Sequence, residues 1–368
     1  MRKLLLYNLL GAVVLLSACK KEIEKIVVQD RQYSWMPDKG FTDSFGILLG
    51  AGKGPTGLYF QQPGGFAALQ GPAAGPLRYT QYLSWGSGNL TTRYLIGPEF
   101  LATYRDTLVY LTANTQPVTS GAGGLIRLKK IDPKALYVEP NTASFISFAA
   151  LSKNNYLLFP YESGRYDFKN RLVLAHITTT FGINFPIYTA QSKIIELPIV
   201  QGYNGYKPRL LTAIDDYFLV DCGSEGLFKV TEAGSFRQVL PANSEAYAFF
   251  KWQGALWAGL GNSKLATSTD NGDNWQVTAG GPDLRSTTVH LVGDSLVVMT
   301  HLYGGGRLYT LNLNLAKQKW HLRQLKDDGL NQTAINDLQT WGDTVYLATS
   351  SGLFKRSLRT FFESKPKP

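Results

Sequence analysis

The sequence predicts an all-β fold, a β-propeller of seven blades with six or eight as the alternatives, and three observations carry that prediction. A degenerate phrase recurs along the whole chain. Its copies lie about 40–50 residues apart once loop variation is allowed for, which fits a unit of four short strands. No stretch after residue 40 sustains an apolar i, i+3, i+4, i+7 pattern over helix length.

The clearest copy is Trp341–Arg356. A polar turn at Gly342-Asp343-Thr344 opens the apolar run Val345–Ala348, and a second turn ending at Gly352 opens Leu353-Phe354-Lys355. With Asp343 as the reference, matching turns occur at Asp43, Asp106, Asn155, Asp216, Gly254 and Asp294. The second half recurs at Gly57–Phe60, Gly124–Arg127, Gly226–Lys229 and Gly306–Tyr309. Asp or Asn before a small residue supports a tight turn because its side chain can bond its own backbone. Runs such as Leu296–Met299 are short and continuously apolar, as strands covered on both faces must be. The 37 glycines and 12% aromatic content suit many turns and large packing residues between blades.

In the fifth copy, Ser268-Thr269-Asp270-Asn271-Gly272-Asp273-Asn274-Trp275 satisfies Ser-x-Asp-x-Gly-x-x-Trp in full. Asp270 is short enough to accept backbone N–H groups inside a hairpin turn. Gly272 supplies a backbone conformation that a side chain penalises, and Trp275 starts the next strand and packs its indole between blades. This segment resembles the Asp-box, or BNR repeat, of sialidases, sortilin-type receptors and photosystem-assembly propellers. In those families the box lies on the blade periphery, which implies a structural role for Ser268, Asp270, Gly272 and Trp275. The remaining copies, with Asp-Thr-Val-Tyr-Leu-Ala-Thr-x-x-Gly-Leu-Phe, resemble the sensor propellers of two-component regulators across most of residues 41–360, and only the fold carries over.

The N-terminus reads as an export signal. Arg2 and Lys3 precede an apolar run, Leu4–Leu15, that is too short to span a bilayer. Leu16-Ser17-Ala18-Cys19 then resembles the lipobox of bacterial lipoproteins, which implies cleavage before Cys19 and lipid attachment to it. The expected organisation is a signal peptide over 1–19, a tether over 20–40, a propeller over 41–362 and a tail over 363–368. Lys20 follows Cys19, so the Asp that resembles an inner-membrane retention signal is absent, and the outer membrane is the expected location, on either face. The mixed Lys/Glu run at Lys20–Lys25 resembles, loosely, the surface-export tags of Bacteroidetes lipoproteins.

Net charge is +10, but the basic residues are scattered and form no stripe, so nucleic acid is not an expected partner. With Cys19 lipidated, Cys222 has no disulfide partner, and its apolar setting marks it as a strand residue. Asp215-Asp216 and Asp327-Asp328 read as turn formers. The four histidines form no i, i+2 or i, i+4 pair, so neither metal nor cofactor is expected. The arginine-containing N-terminal segment of sialidases is missing, and no catalytic residue is assigned.

Binding is the better-supported activity. Two long polar segments, Tyr161–Phe168 and Gln201–Arg209, combine tyrosines with cationic side chains. Tyr161, Tyr166, Tyr203 and Tyr206 offer flat faces, and Arg165, Lys207 and Arg209 offer donors for a carboxylate or sulfate. Loops on a rigid scaffold concentrate binding residues. The expectation is a monomeric, membrane-anchored binding module or scaffold for a glycan or protein ligand, with a divergent glycoside hydrolase or lyase as the alternative.

Overall fold

A computed structural model of the chain describes residues 33–38, 46–54, 57–62, 65–72, 77–84, 95–96, 99–104, 107–112, 123–137, 149–163, 170–181, 186–198, 210–301, 306–314, 319–330 and 333–365. Strand β1 (Met36–Pro37) comes first. The first sheet holds β2–β5 (Gly50–Gly54, Gly57–Gln62, Gly65–Gln70, Arg78–Ser84), and the second holds β6–β9 (Leu95–Ile96, Glu99–Tyr104, Thr107–Thr112, Gly123–Arg127). A short helix, α1 (Leu128–Ile131), leads to β10 (Ala135–Tyr137). The third sheet holds β11 (Ala150–Leu151), β12 (Tyr156–Pro160), β14 (Asn170–Phe181) and β15 (Pro186–Leu197), while β13 (Glu162–Ser163) pairs with β10 in a side ribbon. The fourth sheet is β16–β19 (Leu210–Ile214, Tyr217–Asp221, Leu227–Thr231, Phe236–Leu240), and the fifth is β20–β23 (Ala246–Trp252, Ala255–Leu260, Lys264–Ser268, Gln276–Ala279). The sixth is β24–β27 (Thr287–Val292, Ser295–Thr300, Arg307–Asn314, Lys319–Gln324). The seventh is β28–β30 (Ile335–Trp341, Thr344–Thr349, Gly352–Ser357), completed by β1 and followed by α2 (Leu358–Phe361).

Every four-stranded sheet is antiparallel, and each touches the next around a closed circuit. The contacts run β28 to β2, β2 to β6, β9 to β15, β11 to β16, β16 to β20, β20 to β24 and β25 to β28. This order is an all-β propeller. Among the described residues, hydrophobic clusters fill six of the seven seams. Second strands are walled in on both faces and are the most apolar: Phe218–Val220 and Val297–Met299 are buried throughout. Fourth strands face solvent, as Phe236-Arg237-Gln238 in β19 shows.

Five of the seven expected turns, at Asn155, Asp216, Gly254, Asp294 and Asp343, join first to second strands. Gly254, at φ 74°, needs the left-handed region that favours glycine. The remaining two units stand apart. Asp43 lies outside the described residues, and Gly57–Phe60 is the second strand of its sheet rather than the third. The Asp106 position lies between β7 and β8, the second and third strands, so Gly124–Arg127 falls in the fourth.

The expected tether also ends earlier than residue 40. Met36 and Pro37 pair with Lys355 and Phe354, and Trp35 is fully buried. The Trp35 indole donates to the Lys326 carbonyl at 3.0 Å and meets Phe361 edge-on at 6.0 Å. Ser34 N–H donates to Asp328 Oδ2 at 2.7 Å. Buried Arg356 donates to the Lys326 and Thr360 carbonyls and reaches Glu363. The expected tail is likewise docked through Lys365: Lys326 N–H donates to the Glu363 carbonyl at 2.9 Å and Lys365 N–H to the Gln324 carbonyl at 3.2 Å. Closing the ring with a strand from the far end of the chain satisfies the outer edge of β30, which would otherwise present unpaired backbone groups.

Candidate functional site

The turn between β22 and β23 is built by the motif residues themselves. Ser268 Oγ donates to Asp270 Oδ1 at 2.8 Å and accepts from Gly272 N–H at 2.9 Å. Asp270 Oδ1 further accepts from Asp273 N–H at 3.2 Å and Asn274 N–H at 2.9 Å, and Oδ2 accepts from the Asn274 amide at 2.7 Å. These donors, the Asn274 N–H foremost, hold the Asp270 carboxyl well below the usual carboxylate range. Gly272 takes φ 80°, and Trp275 Nε1 donates back to its carbonyl at 3.1 Å. The indole packs against the cluster between the fourth and fifth sheets. Lys229 in β18 ties the turn across that seam, donating to the Asn271 carbonyl at 2.9 Å and pairing with Asp273 at 2.5 Å. All these partners belong to the scaffold.

At the opposite end of the strands lie the attachment points of the two tyrosine-rich segments. Pro160, at the end of β12, pairs with Leu172, and Asn170, at the start of β14, pairs with Leu197, at the end of β15. The chain therefore leaves and re-enters the third sheet at this rim for the first segment, and leaves that sheet for the fourth at the same rim for the second. Of the seven expected ligand residues, Arg165, Tyr166, Tyr203, Tyr206, Lys207 and Arg209 lie outside the described residues.

Tyr161 is described and is corrected: it is buried in the core between the second and third sheets. Its hydroxyl donates to Asp132 Oδ2 at 2.9 Å, and Asp132 lies 3.7 Å from Arg171. Burial first, then the Asp132 carboxylate, pushes the phenol up, so it stays a hydrogen-bond donor. Tyr161 supports the rim from beneath rather than facing a ligand.

A polar node went unread in the sequence. Thr288 Oγ1 lies 3.1 Å from His290 Nε2 and 3.4 Å from His301 Nε2, and His290 Nε2 lies 4.0 Å from Asp337 Oδ1. Asp337 is fully buried. Its Oδ2 accepts from Ala51 N–H at 2.9 Å and its Oδ1 from Leu338 N–H at 2.8 Å, so one carboxylate joins the seventh sheet to the first. Asp221 acts alike, accepting from Ala246 N–H of the next sheet at 2.9 Å. The available signal was a carboxylate inside an otherwise apolar strand, which must be hydrogen-bonded wherever it is buried. Asp215 and Asp328 are indeed turn residues, and they add contacts to Lys251 and Ser34. Cys222 is buried beside Asp221 and Glu225, and burial raises its thiol well above the usual range. No cluster of metal-ligating side chains occurs among the described residues.

No protein-family model matches the chain, and no curated protein matches it. Among solved structures it is similar to the crystal structure of BamB from Moraxella catarrhalis, at 12% identity and TM-score 0.45 over 88% of this chain and 96% of that one. The computationally designed Ika8 protein (10% identity, TM-score 0.41, 85% and 96%) and U3-55K (10% identity, TM-score 0.45, 85% and 95%) are similar as well. By its strand order and the closed circuit of sheet contacts the chain is an all-β propeller.

Proposed function

We propose that the protein is a lipid-anchored binding module or scaffold of the bacterial cell envelope. Cys19 carries the lipid, the outer membrane holds the anchor, and a monomeric propeller presents a glycan or protein ligand at one rim. The observation that carries this reading is the register of the third sheet, in which Pro160, Asn170 and Leu197 fall at one end. Two segments rich in Tyr, Arg and Lys thus start from one rim of a rigid ring, the arrangement in which loops serve recognition. Arg165, Lys207 and Arg209 suit an acidic or sulfated group, with Tyr166, Tyr203 and Tyr206 as stacking surfaces. The Asp270 turn, which resembles an Asp-box, belongs to the opposite end and keeps a scaffold role.

Two measurements test the proposal. The Cys19→Ala chain is expected to leave the membrane fraction, and its retention in outer membranes after a high-salt wash would refute the anchor. Purified protein is expected to bind acidic polysaccharides on a glycan array, with the signal lost in a Tyr203→Ala, Arg209→Ala double variant. Silence across acidic and neutral glycans moves the reading to a protein scaffold.

A further inference from the structure

We propose that the cleft between the fifth and sixth sheets is a second binding site, taking the flat face of a sugar ring in a neutral oligosaccharide chain. The proposal is independent of the rim described above.

One wall is a row across the fifth sheet, where Trp257 stands opposite Thr267 and Thr267 opposite Gln276, with Thr278 alongside. The other wall comes from the sixth sheet, where Leu313 pairs with Trp320 and Asn314 with Lys319. Between them is a cavity of about 250 Å³. It adjoins a shallower depression of about 690 Å³ that shares the Leu313–Trp320 wall. The inner cavity falls just below the roughly 300–1,000 Å³ of sites that enclose a drug-sized ligand, so it fits one ring of a chain that continues outward.

The two indoles differ in kind. Trp257 is locked: it stacks on Phe250 at 6.3 Å with 8° between planes, and its Nε1 donates to the Trp252 carbonyl at 3.2 Å. Trp320, by contrast, is 43% exposed on an outer strand. The polar groups beside it are hydroxyls and amides (Thr267, Thr278, Gln276, Asn314) with Lys319 as the cation, and among the described residues no carboxylate lines the cavity. A pyranose ring matches this set. Its axial C–H bonds form an apolar, slightly positive face for the indole, and its equatorial hydroxyls both donate and accept. A cationic peptide finds no counter-charge here.

The test uses the full chain, titrated with cellohexaose, maltohexaose and chitohexaose by tryptophan fluorescence and calorimetry. At least one hexaose is expected to bind saturably. Trp320→Ala should weaken it about tenfold or more, the scale on which aromatic side chains hold stacked nucleobases. Gln276→Ala should weaken it less, with both variants melting like the parent. Tyr203→Ala should leave it unchanged, which separates this site from the rim. Failure of all three sugars to bind, equal affinity in Trp320→Ala, or loss of binding in Tyr203→Ala alone would each overturn the proposal. So would saturable binding of an unstructured peptide library through Trp320 with no hexaose bound.

Discussion

The Ser268–Trp275 turn and the Trp35–Pro37 seam are both held by hydrogen bonds to main-chain groups, yet they recruit partners in opposite ways. The turn draws its donors and acceptors chiefly from eight consecutive residues. The seam takes its acceptors from residues 294 and 291 positions away in sequence. A local turn can rearrange while its sheet persists. A broken seam exposes the core between the sixth and seventh sheets, where Trp35, Leu325, Phe354 and Phe361 pack together. The number of hydrogen bonds therefore does not by itself set the consequence for stability.

The sharpest way to break this contrast is Trp35→Ala. Losing a fully buried indole is expected to cost about 3–5 kcal/mol, read from urea unfolding of the full chain; a smaller loss than that of Trp275→Ala would reverse the argument. Asp337→Leu comes next. It leaves the Ala51 and Leu338 N–H groups buried and unsatisfied, at about 1–3 kcal/mol for each, and the midpoint denaturant concentration should fall accordingly. Trp275→Ala removes a half-buried indole from the turn and should cost about 1–2 kcal/mol by lost apolar burial, with the rest of the ring intact by circular dichroism.

Asp270→Asn sharpens the local side of the comparison through pH. The folded carboxyl titrates below its unfolded value of about 3.9 because Asn274, Ser268 and Asp273 donate to the charged form. Its contribution is thus fully present above that pH and is lost as pH falls through the lowered folded value. The melting-temperature gap between parent and Asp270→Asn should be constant from neutral pH to about 5 and narrow below about 4. Smallest of all is Lys251→Ala. The Lys251–Asp215 pair is half exposed on both sides, and such pairs contribute about 0–1 kcal/mol. A thermal melt in moderate salt should barely move.

Legibility followed the same division. The turn could be read because every residue it needs lies in one short phrase. Five reference turns fall at first-to-second strand junctions, but in the first two sheets the phrase falls at a different hairpin. Each hairpin of a propeller unit uses the same Gly, Asp and Asn chemistry, so the phrase marks a hairpin without saying which one. The seam was illegible for a different reason: Met36-Pro37 has no alternation and ends in a residue that cannot donate to a ladder. Trp35 acquires its meaning only beside Arg356 and Phe361. Tyr161 was read as a ligand surface because its neighbours in sequence are polar. Its real neighbour, Asp132, comes from another strand connection, and spacing gives no hint of it.

The seam also sets the order in which the molecule can be made. Residues 33–38 emerge from the ribosome well before their partners at 326–328, 353–356 and 361; 294 and 291 positions separate the bonded pairs. The sheets between can form hairpin by hairpin from local pairings, whereas ring closure must wait until the partners near residues 326–361 have been made. Until then the indole of Trp35 and the edge of β30 stay uncovered, as sticky as any unfinished surface. Among the described residues, the first strand made is the last one placed.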